Sequence, residues 1–190
     1  NNDLGEYSSN NLYRIQSLTK PITSMVALII LEKFNIDVNE PIKSVVNEFS
    51  NLKVLSEGLL ENSNNDITFA HLLTHTSGLT YGFSHSNQSI LRGNTEADEV
   101  YRKIGILDRI QKSSITSDEF IDITSSLPLA YHPGTRWNYG ISSDLLGVIL
   151  EKICKKSLNN IFKDELFIHL DMKDTFFPDQ STTNLIPTFK

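Results

Sequence analysis

The stretch Ser17 to Phe34, SLTKPITSMVALIILEKF, reads as one long helix. Its middle, Met25 to Leu31, is apolar on nearly all sides, which predicts a central, buried element. Pro21 sets where the helix starts. Proline lacks the N–H that would reach the Ser17 carbonyl, so it is tolerated only in the first turn or so. The helix therefore begins close to Ser17, and Ser17 and Lys20 form an S-x-x-K at its start. Three residues rotate a helix by about 300°, which leaves both side chains on one face with Cβ atoms roughly 5–6 Å apart. From there an amine can reach a hydroxyl and take its proton. The free N–H groups and positive dipole end of a helix N-terminus also favour a developing oxyanion. An S-x-x-K alone is a common tetrapeptide; Pro21 and the apolar helix behind it make this one specific.

Two further stretches bear on chemistry. Tyr139 lies in Pro133-Gly134-Thr135-Arg136-Trp137-Asn138-Tyr139-Gly140, between a turn and a capped helix. A phenol held at such a corner beside a cation can donate or accept a proton; without Ser17 and Lys20 it would read as a packing residue next to Trp137. The other stretch is Thr68 to Leu79, TFAHLLTHTSGL. His71 and His75 have the i,i+4 spacing of metal ligands. Leu72 stands where a metalloprotease helix needs Glu, however, and no third ligand is apparent nearby. Both histidines are read as capping or packing groups, with no metal. Ser77 lacks the G-x-S-x-G of a nucleophile elbow. No P-loop, G-x-G-x-x-G or EF-hand loop is present, and no cofactor is expected.

Around these motifs the pattern predicts many helices and few strands. Residues 1–12 form a polar lead-in. Asp37 to Pro41 is a turn before a short helix near Ile42 to Val46, and residues 51–66 are a loop. Thr68 caps a helix over 69–75 that ends at Gly78. Residues 81–94 form a surface excursion and 96–111 one amphipathic helix. Ser117 caps a helix to Ser126, Ser142 one over 143–154, and Ser157 one to about Leu166. Short strands are expected at 135–139 and 174–177.

The 190 residues carry 17 Lys+Arg against 23 Asp+Glu, a net charge of −6, and 39% are hydrophobic. That is globular composition, and a chain of this length can bury roughly 70% of its unfolded surface without disulfides or metal. The acidic balance and the lack of a basic stripe argue against nucleic-acid binding and against a polybasic membrane anchor. No apolar run reaches the length of a transmembrane helix. The single Cys154 excludes an internal disulfide and is read as a buried structural thiol. The compartment stays open between secreted, periplasmic and cytoplasmic.

The ordered set S-x-x-K-P, L-L-T-H-T-S-G-L and P-G-x-x-W-x-Y, followed by an L-L-G helix, closely resembles the serine β-lactamase-like family. That group includes class C β-lactamases, D-alanyl-D-alanine carboxypeptidases and related esterases. The segment ending Met172-Lys173-Asp174-Thr175-Phe176-Phe177 is similar too, so the resemblance spans Tyr13 to about Phe177. It implies an α+β, β-lactamase/transpeptidase-like fold, of which this chain holds mostly the helical part with few short strands. Residues 13–190 would be one partial catalytic domain. The resemblance also implies a serine hydrolase: Ser17 attacks a carbonyl and becomes acylated, Lys20 is its base or proton partner, and Tyr139 relays the proton to the leaving group. How the proton work divides between Lys20 and Tyr139 stays open.

Two departures shape the expected substrate. The family's Tyr motif is often Y-x-N; here Tyr139-Gly140-Ile141 places an Ile where Asn would grip a substrate amide. Small esters or amides are therefore expected ahead of β-lactams or cell-wall peptides, the alternative substrates. A K-T-G or H-x-G after the Tyr, which supplies half the oxyanion hole in the family, is not found. The chain is expected to be an internal piece of a longer protein, weak or inactive alone, with part of the Met25 to Leu31 face uncovered. The reading from another class is a non-catalytic relative that binds a ligand or partner; retention of Ser17, Lys20 and Tyr139 favours the enzyme.

Overall fold

A computed structural model describes residues 11–83, 95–112, 115–178, 182 and 185–186. The long helix α1 runs Thr19–Lys33, preceded by a 3-10 turn over Gln16–Leu18. Its buried positions are Thr23, Val26, Ala27, Ile30 and Leu31, the i, i+3, i+4, i+7, i+8 pattern of a single inward stripe. The opposite face is not buried: Leu18, Met25 and Leu28 are 67%, 54% and 48% exposed. Burial of the apolar middle on nearly all sides is thus corrected to burial on one side. A fully apolar segment carries no amphipathic signal to say which face goes in.

Helix α1 packs on α6 (Ser142–Cys154), which also packs on α2 (Phe69–Leu73) and α7 (Leu158–Phe162). Val26, Ile30, Phe69, Leu72, Leu145 and Ile149 belong to one cluster of buried side chains. Thr68 caps α2 as expected: its side chain accepts from the His71 N–H, and His71 Nδ1 accepts from the Thr68 N–H. The helix closes at Leu73, with His75 in the left-handed region at φ 55°, so Gly78 is not its terminator. The expected helix over 96–111 is two, α3 (Glu96–Ile104) and α4 (Ile106–Gln111). Gly105, at φ +69°, breaks them apart, a conformation open to glycine at little cost. Helix α5 (Ser117–Ser126) is capped by Thr116 rather than Ser117. Ser157 caps α7, which runs on into a π-helical turn over Lys163–Phe167.

Strands β1 (Lys53–Ser56) and β2 (Leu59–Asn62) form an antiparallel hairpin in the stretch expected to be loop. Glu57 and Gly58, both at positive φ, make its two-residue turn. The hairpin escapes pattern reading because every residue of β2 is exposed and no alternation marks it. The β1 edge gains a further link from Leu129, whose N–H donates to the Lys53 carbonyl at 2.7 Å. Neither 135–139 nor 174–177 is a strand. The first is held by single backbone bonds to the loop after α2: Gly134 N–H to the Thr76 carbonyl and Asn138 N–H to that of His75, each 2.8 Å. Cys154 is half-buried rather than buried. Residues 1–10 of the lead-in and 84–94 of the excursion lie outside the described residues, while Tyr81 and Gly82 are buried rather than at the surface. No described helix is long and apolar enough to cross a membrane.

Candidate active site

Three segments meet at the N-terminal end of α1. The first is the 3-10 turn that feeds the helix; Gln16, at φ 49°, turns the chain in, and Ser17, the middle residue of the turn, is exposed. The second is the loop after α2, which brings His75 and Tyr81. The third is the 133–140 segment, which the backbone bonds to His75 and Thr76 pin in place and which ends in Tyr139 just before α6.

Ser17 Oγ and Tyr139 Oη lie 2.7 Å apart, although 122 residues separate them in sequence. Lys20 Nζ sits over the Tyr139 ring, 5.0 Å from its centroid, and 5.6 Å from that of Tyr81. The three residues singled out from sequence are therefore neighbours. The Lys20 ammonium rests on the two phenol faces, and the hydroxyl partner of Ser17 is Tyr139. A hydroxyl pair beside a cation can pass a proton from one oxygen to the other while the cation stabilises the anionic form.

Tyr139 is fixed by packing on several sides. The His75, Tyr81 and Trp137 rings have centroids 5.0, 5.7 and 6.3 Å from it. Burial, then the nearby Lys20 charge, lowers the His75 pKa to about 4, so this ring is neutral beside the cation at pH 7. Asn138 is buried and its amide donates to the Leu79 carbonyl at 3.1 Å, joining the second and third segments directly. Ser142 does not cap α6; its hydroxyl is paired with Ser77 at 2.8 Å, both fully buried, which makes a second tie between those segments.

Sequence reading missed Tyr81 and Asp144. The Tyr81 O–H donates to Asp144 Oδ2 at 2.6 Å. Burial pushes the Tyr81 phenol well above its usual pKa, and the adjoining Asp144 carboxylate adds to this. Asp144 was visible only as an acidic residue in the first turn of a helix, where the dipole alone explains it. Tyr81 lay at the edge of a Gly-, Ser- and Asn-rich run. All five side chains line a cleft of about 870 Å³. His71, by contrast, serves α2 as its cap and takes no part in the cleft's lining.

Comparison with known proteins identifies the family and the fold. Residues 2–183 match the Beta-lactamase family. The chain is 34% identical over 169 residues to Acyltransferase calJ of Penicillium decumbens, covering 86% of this chain and 37% of that protein. It is 32% identical over 143 residues to Esterase EstB of Burkholderia gladioli, covering 75% of this chain and 32% of that one. Among solved structures, EstCE1, a hydrolase with promiscuous acyltransferase activity, superposes with a TM-score of 0.71 at 25% identity, covering 91% of this chain and 41% of that chain. The chain thus spans well under half the length of these relatives. With a match over almost its whole length, it belongs to the Beta-lactamase family, and its fold is the β-lactamase/transpeptidase-like α+β fold.

Proposed function

We propose that this chain carries the acyl-accepting centre of a serine esterase or acyltransferase, with Ser17 as nucleophile. The observation that carries the reading is the 2.7 Å contact of Ser17 Oγ with Tyr139 Oη, with Lys20 over the same phenol. Ser17 Oγ attacks the carbonyl carbon of an ester and the leaving alkoxide departs. The Ser17 proton passes through Tyr139 to that alkoxide, and Lys20 offsets the negative charge that forms on the phenol oxygen or the substrate. Water or a second alcohol then cleaves the acyl-enzyme, giving hydrolysis or acyl transfer. The esterase and acyltransferase relatives support both outcomes. Small esters are favoured over β-lactams and peptides because Ile141 is fully buried and brings no polar group to the cleft.

The test is intact-mass and peptide mapping after treatment with a fluorophosphonate and with p-nitrophenyl butyrate. A single adduct on Ser17 is expected, absent in Ser17→Ala. Tyr139→Phe should slow labelling by about 10²–10⁴-fold, the usual effect of removing an acid–base group. No adduct on this chain or on a longer protein that contains it, or an adduct that persists in Ser17→Ala, overturns the proposal.

A further inference from the structure

One of the two aromatic neighbours of Lys20 is hydrogen-bonded to a carboxylate with which Lys20 forms no ion pair. Asp144 projects from the first turn of α6 and is half-buried. Its Oδ2 accepts from the Tyr81 O–H at 2.6 Å, while the Tyr81 ring faces the Lys20 ammonium, 5.6 Å from ring centroid to Nζ. None of the ion pairs among the described residues involves Lys20. A long, flexible amine beside a half-buried carboxylate would ordinarily form a contact pair. Such a pair would draw Nζ off the Tyr139 ring and away from Ser17.

We propose that Tyr81 is a positioning residue for Lys20: its O–H occupies Asp144 while its ring face receives the ammonium, so that Lys20 stays over Tyr139. The inference rests on the role given to Lys20 above. The carboxylate still acts at a distance. Burial raises the Asp144 pKa, and the Tyr81 hydrogen bond and the Lys20 charge each pull it back down, so the carboxylate and the ammonium sense each other without touching.

Tyr81 is itself held rigidly enough to do this. It is 7% exposed, and its ring packs against Phe83 at 5.2 Å. The preceding Thr80 donates its O–H to the buried Asp98 of α3 and accepts from the Gly82 N–H at 3.2 Å. Arg102, also on α3, donates to the Gly82 and Phe83 carbonyls at 3.3 and 3.2 Å. The loop carrying Tyr81 is therefore braced on both sides of the ring.

The test is a double-mutant cycle on the rate of fluorophosphonate labelling of Ser17. Tyr81→Phe keeps the ring but releases Asp144 to capture Lys20, and labelling should slow by about 10- to 100-fold, the range of coupling between touching residues. Adding Asp144→Asn removes the competing charge, so Tyr81→Phe/Asp144→Asn should recover most of that loss, with Asp144→Asn alone completing the cycle. A purely structural tyrosine predicts the opposite, a double variant no faster than Tyr81→Phe. That result, or Tyr81→Phe labelled at the wild-type rate, overturns the inference while leaving Ser17 as nucleophile. Absence of labelling in the wild type overturns the proposed function, and this inference with it. A second measurement needs no variant at Tyr81. In lysine-labelled wild-type protein, the Lys20 CεH₂ signals, assigned through Lys20→Arg, should lie upfield of the other lysines because of the two rings. Lys20 signals at ordinary positions overturn the placement.

Discussion

Gly140 is where the site and the fold depend on the same few atoms. A Cβ at this position would stand 2.6 Å from Thr80 Cα and 2.8 Å from the Leu79 carbonyl carbon, and closer still to the Leu79 oxygen. These are backbone atoms, so no side chain can swing aside. Gly140→Ala must part the two segments by about 1 Å to reach ordinary contact. The Leu79 oxygen is also the acceptor of the buried Asn138 amide. Overpacking costs about 1–3 kcal/mol, and a clash with backbone belongs at the upper end. A chain of this size loses about 2–4 °C per kcal/mol, so Tm should fall by roughly 6–12 °C. The same displacement would carry Tyr139 out of reach of Ser17, because a 2.7 Å contact has little slack. Labelling of Ser17 by a fluorophosphonate should therefore slow by about tenfold or more even below Tm. Gly147→Ala is the matched control. There the nearest atom is Leu158 Cδ2 at 3.1 Å, the end of a flexible side chain, and alanine regains about 1 kcal/mol of helix propensity. Its Tm should stay close to wild type. Scanning calorimetry decides the matter: Gly140→Ala melting within roughly 2 °C of wild type, or Gly147→Ala falling as far, would refute the close-approach argument.

Three other outcomes are expected. Thr68→Ala removes the α2 cap and should lower stability by about 0.5–2 kcal/mol, read as a fall in the urea midpoint at unchanged slope. Asp98→Ala leaves Thr80 and Thr95 without the buried carboxylate that accepts their hydroxyls, and should cost about 1–3 kcal/mol. Asp98→Asn should cost less, and equal melting of the two variants would argue against a charge-assisted brace. His75 has a pKa of about 4 in the folded chain against 6.5 unfolded. Its contribution to stability is therefore complete above pH 6.5 and is lost as the pH falls from there toward 4, since the unfolded chain takes up the proton first. Urea midpoints measured from pH 7.5 to 4 should show a decline that flattens in His75→Asn; parallel curves for the two proteins would remove His75 as the cause.

Helix periodicity and caps were legible because they are local. Thr68 and Ser157 follow directly from side chains that satisfy N–H groups two or three residues on. The exposed face of α1 was not, since an all-apolar run has no polar side to mark it, and the choice of stripe is made by α6 and α7. The hairpin at 53–62 was hidden for a related reason. Leu59 and Leu60 are 71% and 63% exposed, so β2 offers no in–out alternation. The turn residues Glu57 and Gly58 were its one local mark. The 135–139 segment shows the reverse: its composition suits a strand, but the Asn138 N–H goes singly to the His75 carbonyl rather than into a ladder.

The site divides along the same line. Ser17 and Lys20 share one turn of chain and could be paired from spacing, and Tyr139 could be added because its motif is itself a tight local corner. Tyr81 and Asp144 meet across 63 residues, and nothing local to either announces the other. What unites all five is that the loop after α2 is bonded to the segment before α6 by two backbone bonds, the Asn138–Leu79 bond and the Ser77–Ser142 pair. Those four links fix Tyr139 and Tyr81 relative to each other, and α6, packed on α1, then sets both against Ser17. The aromatic cage around Lys20 is thus a consequence of how α1, α2 and α6 pack. A substitution that loosens the α2–α6 seam should disturb Lys20 without touching any residue of the cleft.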